Sequence, residues 1–85
     1  DPAADLAVCM AIASASAQRK LDEHTVVFGE VGLGGEIRSV IAAARRVSEA
    51  KKLGFKNIIG PSSTKESGIT IPVNNLRQAL IDYLK

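Results

Sequence analysis

The chain has 85 residues, 46% of them hydrophobic and 24% charged, and a net charge of +2, which fits one small globular domain with a modest core. Aromatic residues make up 4% and Trp is absent, so few side chains could stack on single-stranded bases, which argues against an aromatic nucleic-acid module. No run approaches the roughly 18 apolar residues of a membrane span, so no membrane partner is expected. The single cysteine, Cys9, cannot form an internal disulfide, which favours a reducing compartment and hence the cytoplasm.

Residues 1–18 are predicted to form a helix. Pro2 suits a first helical turn, and Asp5 complements the positive end of the helix dipole. Apolar side chains lie on one side at Leu6, Met10 and Ala13, and on another side at Val8 and Ile12. The many alanines make a thin helix that can approach a sheet closely. Because a buried helix rarely starts a natural chain without a lead-in, we expect a fragment of a longer protein.

The Gly-rich stretch 26–38 is predicted to be a strand followed by a hairpin, since β-branched and aromatic residues here run into a glycine cluster. Gly34 and Gly35 can both take positive φ, as a type I′ turn demands, and they are the predicted turn residues. A two-residue loop would place Leu33 opposite Glu36, which is not a clean apolar pair. A bulge or a longer loop is therefore the alternative.

The next segment predicts a second helix and a short strand. Residues 40–53 show apolar positions at helical spacing, and Gly54 is predicted to end the helix. A strand is predicted at 57–59, and a polar loop at 62–67.

The last segment predicts an edge strand and a third helix. Residues 69–73 are β-prone, and Pro72 favours an edge position or a strand end. Asn74 or Asn75 is predicted to cap the final helix. The whole order predicts one α/β domain over residues 1–85, with helices covering a mixed sheet.

Few residues suggest a chemical site. The glycines lack the spacing of a phosphate-binding loop, since an isoleucine stands where the third glycine of G-x-G-x-x-G would fall. Cys9, expected in the core, and His24, expected in solvent, are the only cysteine and histidine, too few for a structural zinc site with about four ligands, so no metal site is predicted. Glu30 and Glu36 flank the hairpin and are expected to be solvated or paired with Arg38.

Basic side chains are concentrated between residues 45 and 56. They are Arg45, Arg46, Lys51, Lys52 and Lys56. Two interpretations of this cluster stay open at this point. It is either an ordinary solvated helix face or a contact surface for DNA or a partner subunit.

The order and spacing of several motifs resemble a known family. The motifs are F-G-E-V-G-L-G-G-E-I-R at 28–38, then an alanine- and basic-rich helix, then L-G-F-K-N-I-I-G-P at 53–61, with D-P-A-A-D-L-A at 1–7. Together they resemble the C-terminal domain of bacterial RadA (Sms-type) DNA repair proteins over essentially the whole chain. The resemblance implies that the chain is a single C-terminal domain of a longer protein.

That domain is similar in turn to the proteolytic domain of Lon proteases, which use a Ser-Lys dyad. The resemblance implies a Lon-like α/β fold, of the type shared with domain 2 of ribosomal protein S5. Matched through the motifs, the serine position falls on Ala3 and the lysine position on Ala44, beside Arg45. A methyl group can neither attack a carbonyl nor take a proton, so the resemblance implies no peptidase chemistry. The alternatives are a working peptidase domain and a purely structural scaffold.

The resemblance also implies properties of the full-length protein. Family members act in recombination as ring-shaped DNA motors that promote branch migration, so a homo-oligomeric ring, DNA and recombination proteins are the expected partners. ATP, Mg and Zn are expected to bind the N-terminal part, which would be a DNA-dependent ATPase. No catalytic residue and no cofactor is expected within residues 1–85.

Overall fold

The computed structural model describes residues 2–63, 68–69 and 71–84. A short 3-10 turn, Pro2–Ala4, leads into helix α1, Asp5–Ala17. The other helices are α2, Ala43–Lys52, and α3, Leu76–Tyr83, and the strands are β1, Thr25–Val27, β2, Glu30–Val31, β3, Ile37–Arg38, β4, Asn57–Pro61, and β5, Ile71–Val73. The predicted order of elements and the α/β class are confirmed. Most of the predicted polar loop, residues 64–67, lies outside the described residues.

Two separate sheets replace the predicted mixed sheet. Strands β1, β4 and β5 form a parallel sheet in the order β1-β4-β5, in which Val26 pairs with Ile58. Strands β2 and β3 form an antiparallel ribbon with Glu30 opposite Arg38. The prediction was wrong on this point because periodicity identifies strands without identifying their partners.

Two core clusters lie on opposite faces of the parallel sheet. Ile58 and Ile59 are neighbours on β4, so their side chains point to opposite faces, and each is at most 1% exposed. Ile59 packs with side chains from α1, α3 and the strands, including Leu6, Met10, Ile37, Val73, Ala79 and Leu84. Ile58 packs with Phe28, Ile69 and the α2 residues Ala43, Val47 and Ala50. The sheet therefore lies between α1 and α3 on one side and α2 on the other.

The helix ends follow local signals in the sequence. Asn75 caps α3, because its Oδ1 accepts the Gln78 backbone N–H at 2.8 Å. Gly54 follows Leu53, the C-cap of α2, and takes a φ of 94°, as its predicted role at the helix end requires. Helix α2 begins at Ala43 rather than at residue 40, because Ala42 has a φ of 59°, a left-handed conformation that a right-handed helix excludes. Pro72 lies in the edge strand β5, as predicted.

The hairpin turn differs from the predicted type I′ turn. Gly35 has a φ of 82°, but Gly34 is not among the residues with positive φ. The Gly32 N–H donates to the Glu36 carbonyl at 2.9 Å, and the Gly35 N–H donates to the Gly32 carbonyl at 3.0 Å. These bonds define the alternative, a longer loop closed by one glycine in the left-handed conformation.

The register of the ribbon explains the longer loop. Val31 on β2 pairs with Ile37 on β3, which keeps two apolar residues opposite each other. Leu33 lies at the tip of the loop and is completely exposed. Cross-strand apolar pairing therefore determines the loop length, and the glycine dipeptide adapts to it.

Gly35→Val is predicted to destabilise the protein by about 1–2 kcal/mol, because a β-branched residue is strained at positive φ. A Cβ at Gly35 would meet no atom within 4 Å, so the cost is conformational rather than steric. The matched control is Gly34→Val, which should cost clearly less because Gly34 does not have positive φ. Thermal unfolding of both variants measures the difference, at roughly 4–8 °C per kcal/mol for a domain of this size. Equal losses at the two positions would contradict this description of the turn.

Candidate functional site

The basic cluster lies mostly on the outer face of α2. The inner face of this helix, at Ala43, Val47 and Ala50, is at most 8% exposed and packs on the sheet. That burial leaves the opposite face to polar and charged side chains. Arg45, Lys51 and Lys52 are exposed on the helix, and Lys56 is exposed between α2 and β4.

Arg45 and Lys52 form the main positive strip. They are seven residues apart, so they return to nearly the same face of the helix. The Arg45 side chain is 81% exposed, and its Nε donates to Glu49 Oε1 at 3.3 Å. An exposed pair at this spacing is worth only about 0.3–0.5 kcal/mol, so Arg45 can exchange it for another anion at little cost.

Arg46 does not belong to this strip. Its side chain is half-buried, and its Nε donates to the Ile41 carbonyl at 3.2 Å. It lines a cleft of about 310 Å³ whose other wall includes Ala3. Adjacent residues on a helix point about 100° apart, and here that rotation separates Arg46 from Arg45.

Ala3 and Ala44, the positions matched to a serine and a lysine, have different surroundings. Ala3 is 5% exposed, and its carbonyl accepts the Gly29 N–H at 2.8 Å. Ala44 is exposed on α2. Ala3 lines the cleft described above and a smaller one of about 160 Å³, and Arg46 lines both, whereas Ala44 lines neither. The basic side chain beside Ala3 is thus Arg46.

Glu36 organises the hairpin loop. Its Oε1 accepts the Gly34 N–H at 3.0 Å, and its Oε2 accepts a hydrogen bond from Arg38 Nη2 at 3.2 Å. Arg38 Nη1 also lies 3.8 Å from Glu30 Oε1. Hydrogen bonds from the backbone of Glu36 itself, from Gly34 and from the Arg38 guanidinium lower the pKa of the Glu36 carboxyl. The predicted pairing of these glutamates with Arg38 is confirmed.

Gly32 lies directly beneath the Glu36 carboxylate in this loop, a contact that the sequence analysis missed. A Cβ at Gly32 would lie 2.3 Å from the Glu36 carboxylate. A side chain at this position would displace the carboxylate, which is the flexible end of an exposed side chain, from its bonds to Gly34 and Arg38. In the sequence, Gly32 simply precedes Glu36 by four residues. That spacing does not indicate that the Glu36 side chain folds back over Gly32.

Cys9 and His24 are not brought together. Cys9 is half-buried on α1 rather than in the core as predicted, because it lies between the buried stripe of the helix and its exposed side. His24 is exposed, as predicted, in the loop before β1. Among residues 2–63, 68–69 and 71–84, no group of three or more His, Cys, Asp or Glu side chains could hold a metal ion. No helix in the described part of the chain is long and apolar enough to cross a membrane.

Comparison with known proteins identifies a family. Residues 2–64 match the family model described as subunit ChlI of Mg-chelatase. The chain belongs to this family. It is also homologous to bacterial proteins named DNA repair protein RadA, with 43% identity over 83 residues to that of Aquifex aeolicus. The identity is 46% over 72 residues in Halalkalibacterium halodurans and 52% over 59 residues in Rickettsia bellii.

These alignments cover most of this chain and little of the relatives. They include 94%, 85% and 69% of the chain, respectively, but 19%, 16% and 13% of the three RadA proteins. The chain therefore spans less than a fifth of the length of the curated relatives it matches. The predicted relationship to RadA DNA repair proteins is confirmed as homology.

Glu36→Gln is predicted to lower stability at neutral pH and to have progressively less effect in acid. A carboxyl whose pKa is lowered by folding stabilises the protein above its unfolded-state pKa, and that contribution is lost as pH falls through the folded-state value. The window therefore lies below the ordinary Glu value of 4.5. Thermal unfolding across an acid pH series checks this, with Glu23→Gln in the exposed loop before β1 as the control. A difference between wild type and Glu36→Gln that stays constant with pH would contradict it.

Proposed function

We propose that this chain is a non-catalytic, Lon-like domain of a RadA-type DNA repair protein that contributes to DNA contact and to assembly of a ring. The homology to RadA proteins supports the repair context. The proposed DNA contact rests on the positive strip of Arg45 and Lys52. These side chains are exposed on α2, whose opposite face is buried in the core. An anchored helix presents its charges at fixed positions, and fixed positive charges suit the regular phosphates of a duplex.

The net charge of the chain predicts that one copy binds DNA weakly. A formal charge of +2 offers little long-range attraction, and each phosphate contact is sensitive to salt. Repetition of the strip around a ring would let weak contacts add, because binding of the second and later subunits becomes intramolecular. Lys51 and Lys56 would extend the strip in each subunit. A ring and DNA contact thus support each other in this proposal.

The absence of peptidase chemistry is proposed from the side chains at and near Ala3. Ala3 offers no hydroxyl nucleophile, and Ala44 offers no amine. Arg46 is the basic residue that shares a cleft with Ala3, and a guanidinium stays protonated at physiological pH, so it cannot act as a general base. The cleft would therefore be a remnant of a Lon-like site, without a catalytic role.

Activities of the full-length protein follow from the same relationship. We expect the remainder of the longer protein to bind ATP, Mg and Zn and to act as a DNA-dependent ATPase in branch migration with recombination proteins, in the cytoplasm. The family description, subunit ChlI of Mg-chelatase, names a different activity. We favour the repair role because the aligned relatives reach 43–52% identity and carry the RadA name.

Charge reversal of the strip tests the DNA contact. Arg45→Glu with Lys52→Glu in the full-length protein should reduce DNA affinity and make its salt dependence shallower, by about one unit of the log–log slope for each phosphate that the variant no longer binds. The matched control is Arg19→Glu with Lys20→Glu, which makes the same change of charge in the exposed loop after α1. Affinity is measured across a salt series, and oligomer size by light scattering.

Loss of the ring in the Arg45 and Lys52 variant would identify the strip as a subunit interface instead. No change in either measurement would leave it an ordinary solvated helix face and favour a purely structural scaffold. Equal decreases of affinity in the strip variant and in the control would indicate an effect of net charge alone.

Absence of proteolysis is the second expectation for the full-length protein. With ATP present, it should not cleave an unfolded protein or a peptide above background, because neither half of a Ser-Lys dyad is present. Cleavage products are followed by mass spectrometry beside a Lon protease as positive control. Reproducible cleavage that survives repurification and is abolished by substitutions in this domain would overturn the proposal in favour of a working peptidase.

A further inference from the structure

An apolar groove lies between the hairpin loop and helix α3. It has a volume of about 460 Å³ and is lined by Gly35 of the loop and by Leu76, Arg77, Leu80 and Ile81 of the helix. The Leu76 N–H donates to the Gly35 carbonyl at 2.7 Å, which holds the loop against the first turn of α3. Among the described residues that line this α3 groove, Arg77 alone is charged. The groove therefore presents aliphatic surface with a cation at its rim.

Helix α3 is apolar over a wider arc than the core uses. Ala79 is completely buried, and Leu76 and Leu80 pack partly against the core. Ile81 is 65% exposed, and it lies about 160° round the helix from Ala79, since successive residues turn by about 100°. A helix on the surface of a soluble domain usually carries polar side chains opposite its core face. An exposed apolar side beside a groove is instead typical of a surface that contacts another protein.

Leu33 protrudes from the hairpin loop next to the α3 groove. It lies two residues before Gly35 and is completely exposed. Two hydrogen bonds close the loop around it: the Gly32 N–H donates to the Glu36 carbonyl at 2.9 Å, and the Gly34 N–H donates to Glu36 Oε1 at 3.0 Å. Leu33 does not line the groove of its own chain. One face of the domain thus carries both a protruding leucine and an aliphatic recess.

We propose that two copies of this chain pair through this face, with Leu33 of each copy inserted into the α3 groove of the other. The tip and the groove are two residues apart in the loop, so a single contact covers both and is reciprocal, as in a two-fold interface. The inference rests on the assembly of several copies in the proposed function. It pairs copies two by two, in addition to the contacts that close a ring. The paired face lies on the α3 side of the sheet, opposite the positive strip on α2.

Charge complementarity favours a second copy as the occupant. The Glu36 carboxylate is bonded to Gly34 beside the tip, and its side chain is 47% exposed. Insertion of Leu33 into a partner's groove would bring this carboxylate to the Arg77 of that partner. Within the described part of the chain Arg77 has no ion-pair partner, and the carboxylate keeps lone pairs beyond those used by Gly34 and Arg38. The same carboxylate would repel phosphates, which argues against DNA as the occupant.

The size of the face also favours a second copy. Its apolar side chains expose a few hundred Å², less than the roughly 800 Å² that each partner of a stable free complex buries. So small a contact suits an occupant that other contacts already hold nearby, because the second contact is then intramolecular. Copies of this chain within one assembly meet that condition, whereas a freely diffusing protein does not.

Disulfide trapping in the full-length protein tests the pairing. Leu33→Cys and Ile81→Cys, each in a Cys9→Ser background, are placed on separate, differently tagged chains that are co-expressed, so a mixed disulfide reports contact between copies. The matched control replaces Ile81→Cys by Ser48→Cys, which is exposed on α2, on the other side of the sheet. After oxidation, mass spectrometry should find the 33–81 disulfide peptide at least about tenfold more abundant than the 33–48 peptide. Comparable yields would overturn the proposal.

Charge variants test the orientation of the two copies. Arg77→Glu should lower the yield of the 33–81 disulfide several-fold, because it places a carboxylate against Glu36 of the partner copy. Arg77→Lys keeps the charge and should retain most of the yield. Equal yields from wild-type Arg77 and from Arg77→Glu would contradict the proposed arrangement.

Maleimide labelling of Ile81→Cys separates the other occupants. Slow labelling without a 33–81 disulfide would overturn the second copy in favour of a different partner, and rapid labelling without that disulfide would show an uncovered surface and also overturn it. Light scattering distinguishes this inference from the proposed function. An intact assembly that lacks the 33–81 disulfide contradicts the pairing alone, whereas a wild-type protein that does not assemble contradicts the proposed ring.

Discussion

The fold depends on the close approach of three chain segments at Gly29. The Gly29 N–H donates to the Ala3 carbonyl at 2.8 Å, and the Gly29 carbonyl accepts the Leu6 N–H at 2.9 Å, so the start of α1 is hydrogen-bonded to the residue between β1 and the hairpin. A Cβ at Gly29 would lie 3.0 Å from Ile37 Cγ2 and 3.4 Å from Leu6 Cδ2. Glycine is therefore required where α1, β1 and the ribbon meet. The position of Ala3 follows directly from this contact.

The hairpin is also hydrogen-bonded to the segment where β5 ends and α3 begins. The Ile37 N–H donates to the Asn74 carbonyl at 2.9 Å, and the Leu76 N–H donates to the Gly35 carbonyl at 2.7 Å, so the ribbon is held between α1 and the start of α3. Helix α2 packs on the other face of the sheet through Ala43, Val47 and Ala50, and its outer face carries exposed basic side chains. This division explains how a chain with a small core can combine a rigid framework with an exposed positive surface.

The sequence predicted those features that depend on neighbouring residues. Asn75 as a helix cap and Gly54 as a helix end act on backbone groups within one turn, so their roles can be read locally. The errors concern contacts between distant segments. Gly34 was assigned positive φ because the register of the ribbon could not be foreseen, and Gly32 was overlooked because its role depends on the path of a glutamate side chain. Arg46 was grouped with the basic strip, although packing beside the start of α1 turns it into the cleft. The strand partners were also unpredictable from periodicity.

The central claim is that the outer face of α2 meets DNA in the assembled protein. The most direct measurement places a photoreactive amino acid at Ser48, which is exposed on α2 between Arg45 and Lys52, and compares it with the same group at Gln78 on α3, on the opposite side of the sheet. Irradiation of the full-length protein bound to DNA should give a covalent DNA adduct from position 48 and none above background from position 78. Absence of an adduct from position 48, or equal adducts from both positions, would contradict the claim.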